Sequence, residues 1–147
     1  MNICVWTDTD LDGAGCALLL DYLFKDKEVN IVFKEADFNF VGHFKGFCQT
    51  GEKDKYDKIF ITDKYIPDEL VPYVDEEKVV IIDHHSSHVK EKDKYKRAKV
   101  ILKEYTSASM LIYDQFTQLH SIIPSEVYEL IEIIDDYDFR SEERFSR

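Results

Sequence analysis

Short apolar runs alternate along this chain with polar turns and amphipathic stretches, a pattern that predicts strands and helices in turn. Ile3-Cys4-Val5-Trp6 reads as a strand, an acidic turn follows, and Ala14–Phe24 reads as a helix carrying Ala17, Leu18, Leu20 and Tyr22. Ile31-Val32-Phe33 is a second strand, Val41–Gly51 a glycine-punctuated segment, and Lys58–Thr62 a third strand. Pro67-Asp68-Glu69-Leu70 has the makings of a first helical turn, because proline suits that position and acids suit the positive end of the helix dipole. Val79-Val80-Ile81-Ile82 is apolar without interruption, as expected of a parallel strand buried on both faces. Val100-Ile101-Leu102 closes the series of strands, and two helices follow, from Ser107 to about Leu119 and from Ser125 to about Asp135. This order predicts an α/β fold, a mostly parallel sheet sandwiched by helices, with any ligand site at the carboxyl ends of the strands.

Composition narrows the picture. A chain of 147 residues with 44% hydrophobic content builds one domain with a substantial core. The amino terminus does not read as a signal peptide, and no apolar run nears the ~20 residues that span a bilayer, so a soluble cytoplasmic protein is expected. Cys4, Cys16 and Cys48 are odd in number, widely spaced and set among apolar neighbours, which fits reduced thiols rather than disulfides or a zinc knuckle. The net charge of −11 argues against a broad non-specific nucleic-acid surface but is compatible with acids that hold cations. The basic stretch Lys90–Lys99 reads either as a solvated link or as a grip on substrate phosphates.

The candidate chemistry sits where the fold class places it. Asp8-Thr9-Asp10-Leu11-Asp12-Gly13 comes directly after the first strand, Asp63 ends the third and Asp83-His84-His85 ends the fourth. Alternating carboxylates converge on cations, which need several oxygen ligands each, and imidazole beside carboxylate suits manganese, iron, cobalt or zinc. An EF-hand calcium loop is a poor match because its twelfth position is Leu19 here and a strand precedes it. A haloacid-dehalogenase-type loop is disfavoured by Asp12. His43 and His120 lack acidic context, and His88, set off from the tripeptide by Ser86 and Ser87, reads as an ordinary loop histidine.

In order and spacing, Asp8-x-Asp10-x-Asp12-Gly13, Asp63, Asp83-His84-His85 and Asp135-Asp136-Tyr137-Asp138 resemble the four motifs of the DHH phosphoesterase superfamily. Thr106-Ser107-Ala108, opening a helix, also resembles the segment between its third and fourth motifs. The superfamily includes RecJ-type exonucleases, oligoribonucleases, cyclic-dinucleotide phosphodiesterases and family II pyrophosphatases. The resemblance implies a hydrolase with two divalent ions, manganese ahead of magnesium or cobalt, that cleaves phosphate esters of nucleotides or short single-stranded nucleic acid. It implies Asp8 and Asp10 as ligands of one ion, Asp12 and His84 of the other, Asp63 as the bridge and Asp136 as a further ligand. Asp135 and Asp138 are alternatives to Asp136, which is preferred for its offset from Phe139. His85 would face the substrate phosphate as positioning or proton-donating group, and Asp83 would orient a histidine. Aspartate at position 8, where many members carry histidine, leans toward the RecJ-type branch. The family's usual second, substrate-gripping domain has no counterpart here, so the expectation is a single catalytic domain over 1–147. A non-catalytic metal- or nucleotide-binding module, and a fragment that needs a second domain, are the alternatives.

Overall fold

The computed structural model describes residues 1–25 and 27–145. Five strands form one sheet in the order β2-β1-β3-β4-β5: β1 Asn2–Thr7, β2 Asn30–Glu35, β3 Lys58–Thr62, β4 Val79–Asp83 and β5 Lys99–Leu102. Every pairing is parallel, with Val5 aligned on Phe33 and on Phe60, and Phe60 on Val80. The helices are α1 Leu11–Phe24, α2 Phe40–Gln49, α3 Val71–Val74, α4 Ser86–Lys90, α5 Ala108–Gln115, α6 Leu119–Ile122 and α7 Ser125–Phe145. The architecture is thus the α/β sandwich expected from the pattern.

Strand residues alternate between two cores, as the twofold strand period requires. Ile3, Val5, Phe60, Val80 and Ile82 pack under α1, α5, α6 and α7, while Cys4, Trp6, Ile59, Ile61, Val79 and Ile81 pack under α2 and α3. The chain passes from β1 through α1 to β2 and from β3 through α3 to β4, so it leaves the ends of the neighbouring strands β1 and β3 in opposite directions. The crevice this opens is the place where doubly wound sheets bind ligands.

Several elements differ from the sequence expectation. Helix α1 starts at Leu11, not Ala14, because Asp10 caps it: the Asp10 side chain accepts from Gly13 N at 2.8 Å. The glycine-punctuated segment is the helix α2, since Phe40, Phe44 and Phe47 fall on one buried face while Gly42 and Gly46 lie off it. It ends at Gly51, whose φ of 81° is the left-handed conformation of a helix terminator. The predicted helix from Ser107 to Leu119 is broken into α5 and α6. Helix α7 runs ten residues past its expected end, to Phe145, and so carries Asp138 on a helix rather than beyond one. Within it Ile131 and Ile134 are core and Ile133 is exposed. The three cysteines are free thiols, Cys4 and Cys16 buried. Among the described residues no helix is long and apolar enough to cross a membrane.

Two glycines give opposite predictions. A Cβ on Gly13 would lie 1.9 Å from the Asp8 carbonyl oxygen, whereas one on Gly46 would meet nothing within 4 Å. In urea denaturation Gly46→Ala should gain about 0.4–1 kcal/mol from the lower entropy of the unfolded chain. Gly13→Ala should lose about 1–3 kcal/mol or fail to fold, since backbone must move.

Candidate metal centre

The acids expected from sequence meet at the carboxyl ends of β1, β3 and β4. His84, immediately after β4 and 4% exposed, directs Nε2 toward three carboxylates: Asp63 Oδ1 at 3.0 Å, Asp138 Oδ2 at 3.3 Å and Asp12 Oδ2 at 3.4 Å. Asp8, Asp10 and Asp63 form an adjoining group in which the ligand atoms of the three carboxylates lie within 4.8 Å of one another, and Asp12, His84 and Asp138 form another by the same measure. Asp63 touches both, through its own carboxylate in the first and through His84 in the second. The structure therefore gathers Asp8, Asp10, Asp12, Asp63 and His84 into one cluster.

Asp136 is a correction. Its side chain is 62% exposed and pairs with Arg140 at 3.2 Å, on the outer face of α7. Successive helical residues are turned by about 100°, so Asp135 and Asp138, three apart, share the face that Asp136 cannot reach. Asp138 joins His84, and Asp135 Oδ1 accepts from Ser107 N at 2.7 Å and Thr106 Oγ1 at 3.3 Å, pinning the entry to α5. The offset from Phe139 misled because the acids lie on a helix, where spacing selects a face.

Local structure sets several of these carboxylates. Asp12, in the first turn of α1, accepts from Ala108 N and Ser109 N, both at 2.9 Å, at the amino end of α5. Amide donors at a helix start favour negative charge, and a carboxylate keeps further lone pairs for a cation. Ser107 in turn caps α5, its Oγ accepting from Met110 N at 3.1 Å. Asp8 Oδ2 has Lys64 Nζ 4.0 Å away. Asp63 sits at φ 56°, the left-handed region that aspartate and asparagine tolerate better than most residues, and this turn aims its carboxylate inward.

The two expected catalytic residues lie beside the cluster. Asp83 is fully buried and takes His85 Nδ1 on one oxygen and His88 Nδ1 on the other, both at 2.7 Å. Burial alone would raise its carboxyl; the hydrogen bonds from His85 and His88 outweigh that and hold it well below the usual carboxylate range. His85, its side chain 43% exposed, stacks at 4.5 Å on His84. His88, an ordinary loop histidine by its sequence context, is fully buried with both ring nitrogens engaged. One signal lay in its spacing: five residues past Asp83, it is reached by the short turn of α4. In the basic stretch, Lys94 Nζ is committed to Ile66 O, Asp68 and Glu91, and Lys96 Nζ to Asp93 O.

The donor set fits divalent cations. Five carboxylates and an imidazole within one cluster need positive charge, and Asp63 Oδ2 is buried without a hydrogen-bond donor. Burial, followed by the neighbouring Asp12 and Asp10, pushes the Asp63 carboxyl up to about 12.

Fold and cluster together define a doubly wound α/β domain with a carboxylate–histidine centre at its switch point. Residues 2–134 match the profile of the DHH family, N-terminal domain, and the chain belongs to that family. Among solved structures it is similar to an uncharacterized protein from Helicobacter pylori (TM-score 0.72, 18% identity, covering 97% of this chain and 44% of that one). It is also similar to an exopolyphosphatase-related protein from Bacteroides fragilis (0.54, 22%, 89% and 44%) and to CDC45 from Entamoeba histolytica (0.66, 16%, 92% and 30%). The chain spans less than half the length of each. No curated protein matches it in sequence.

A pH dependence follows. Without cations the folded state keeps a proton on Asp63 that the unfolded chain releases above about pH 4, so metal-free stability should fall as pH rises through neutrality. A cation displaces that proton, so Mn2+ should stabilise the fold more at pH 8 than at pH 6. A saturating ion is expected to raise Tm by on the order of 10 °C in thermal denaturation. Asp63→Asn, which suits the backbone and removes the buried acid, should leave the metal-free Tm equal or higher and abolish the Mn2+ shift. A shift that survives would place the cation elsewhere.

Proposed function

We propose that this domain hydrolyses phosphate esters of nucleotides or short single-stranded nucleic acid with two divalent cations, manganese before magnesium or cobalt. The observation that carries the proposal is the pair of adjoining ligand groups joined at Asp63 and His84. Family membership supports it at the level of metal-dependent phosphoesterases.

Asp8, Asp10 and Asp63 would hold one cation, and Asp12, His84 and Asp138 the other. When bound, such a pair lowers the pKa of a water and stabilises charge on the phosphoryl oxygens. The chain's own residues supply the rest. Asp63 is buried, set by its backbone turn and in contact with His84. Asp12 is anchored by two amides and cannot swing. His85, half-exposed beside the centre and oriented through Nδ1 by Asp83, is the group that meets the phosphate or protonates the leaving oxygen. The exopolyphosphatase-related neighbour adds inorganic polyphosphate to the substrates worth testing. The second reading is a domain that acts only with a substrate-gripping partner; the chain spans less than half the length of the structures it resembles.

The decisive assay measures product release with Mn2+ from dinucleotides, single-stranded oligonucleotides, bisphosphorylated adenosine, pyrophosphate and polyphosphate. Asp138→Asn should reduce turnover at least 100-fold by the scale of lost metal ligands, roughly as Asp63→Ala does, whereas Asp136→Asn should stay within about twofold of the parent. Equal loss from both α7 variants would contradict the assignment of Asp138. Absence of turnover with two ions bound would favour the partner-dependent reading.

A further inference from the structure

We propose that His88 and Tyr95 are positioning residues of this site, the distant half of a buried hydrogen-bond chain that fixes the tautomer and orientation of His85. The functional consequence rests on the phosphoesterase reading; the chain itself does not.

Four side chains make it. Tyr95 Oη lies 2.5 Å from His88 Nε2, His88 Nδ1 lies 2.7 Å from Asp83 Oδ2, and Asp83 Oδ1 lies 2.7 Å from His85 Nδ1. Asp83 and His88 are fully buried and Tyr95 is 8% exposed, so water cannot substitute for the two links through His88. One placement of protons satisfies every atom without a second buried charge. The Tyr95 hydroxyl donates to His88 Nε2, His88 Nδ1–H donates to Asp83 Oδ2, and His85 Nδ1–H donates to Asp83 Oδ1. The opposite His88 tautomer would set a lone pair against the carboxylate oxygen and a proton against a phenol that must then also turn. Burial, the main cause, holds the Tyr95 phenol far above its ordinary range, which keeps it a donor.

The far end of the chain is fixed in a rigid cluster. The Tyr65 ring meets His88 edge-on at 5.4 Å, and Lys94 Nζ lies over the Tyr65 and Tyr95 rings at 4.8 and 5.7 Å. Glu91 accepts from Tyr65 Oη at 2.8 Å and from Lys94 at 2.8 Å. This ties the β4–β5 connection to the segment after β3, so the position of Asp83 is set from two crossings of the sheet. Without His88, Asp83 Oδ2 would be a buried charge lacking its donor, and the carboxylate would be free to rotate away from His85. With it, Asp83 offers His85 a single acceptor, Nδ1 carries the proton, and Nε2 is the atom at which His85 gives or takes one. The logic is that of an acid orienting a catalytic histidine, with one more histidine and a phenol behind it.

The test uses the full chain with Mn2+ and whichever phosphoester it turns over. Tyr95→Phe removes one oxygen and keeps the ring; His88→Asn keeps a donor near the Nδ1 position; His88→Leu keeps neither. The expected order of kcat is parent, His88→Asn, Tyr95→Phe, His88→Leu, the last lowered about 10–100-fold with KM and Mn2+ affinity within twofold. In a His85→Ala background neither Tyr95→Phe nor His88→Leu should lower kcat further. Losses that multiply in that background, or an unchanged kcat, would overturn the proposal. If His88→Leu does not fold, Tyr95→Phe carries the same comparison. Nitrogen-15 spectra of the imidazoles separate the chain from the function. His85 and His88 should both show Nδ1–H in the parent, and Tyr95→Phe should perturb both. His85 protonated at Nε2 and not at Nδ1 in the parent would overturn the chain even with activity present, whereas Nδ1–H without turnover of any substrate would count only against the phosphoesterase reading.

Discussion

Carboxylates packed together at the end of a buried sheet repel one another, and most of the local structure around this site answers that repulsion. Asp63 is the most enclosed of them, and its carboxyl is driven up by burial and by Asp12 and Asp10. The fold offsets the charge piecemeal: amides of α5 face Asp12, the start of α1 is capped by Asp10, and Lys64 stands near Asp8. None of these removes the proton from Asp63 or supplies a donor to its second oxygen. A cation would displace that proton and take up the lone pairs of that oxygen, so the metal-free cluster carries an electrostatic cost that a divalent ion would relieve.

The sheet gives that cost a fixed address. Apolar parallel strands buried on both faces leave little freedom at their ends, and three of them terminate together at the crevice between opposing crossovers. Chain reversal just past β1 depends on Gly13, whose place against the Asp8 carbonyl admits no side chain, and on Thr7 Oγ1 donating to Gly13 O at 2.9 Å. On the opposite side α7 contributes Asp138 only because it continues well beyond its core residues Ile131 and Ile134. Packing on one stretch of a helix thus places a candidate ligand on the next.

Strands were legible because β-branched apolar runs ended in acids, and Lys58–Thr62 emerged with the bounds its pattern suggested. The helix α2 was hidden by glycines that lie off its buried aromatic face, a distinction visible only when Phe40, Phe44 and Phe47 are read at helical spacing. Asp8, Asp10, Asp12, Asp63 and His84 were readable from their positions at strand ends. Asp138 was not separable from Asp136 until the helix fixed which face each occupies. His88 was the least legible, because two serines divide it from its partner in sequence and only the short turn of α4 returns it to Asp83. The double use of Asp12, as helix-end anchor and candidate ligand, also lies beyond any one-dimensional reading.

The most direct test of this account is the crystal structure of the Mn2+-soaked protein with anomalous scattering recorded at the manganese edge. The account predicts two peaks flanking Asp63, one contacted by Asp8 and Asp10 and the other by Asp12, His84 and Asp138, with Asp136 bound to neither. A single peak away from Asp63, or none at saturating Mn2+, would contradict it.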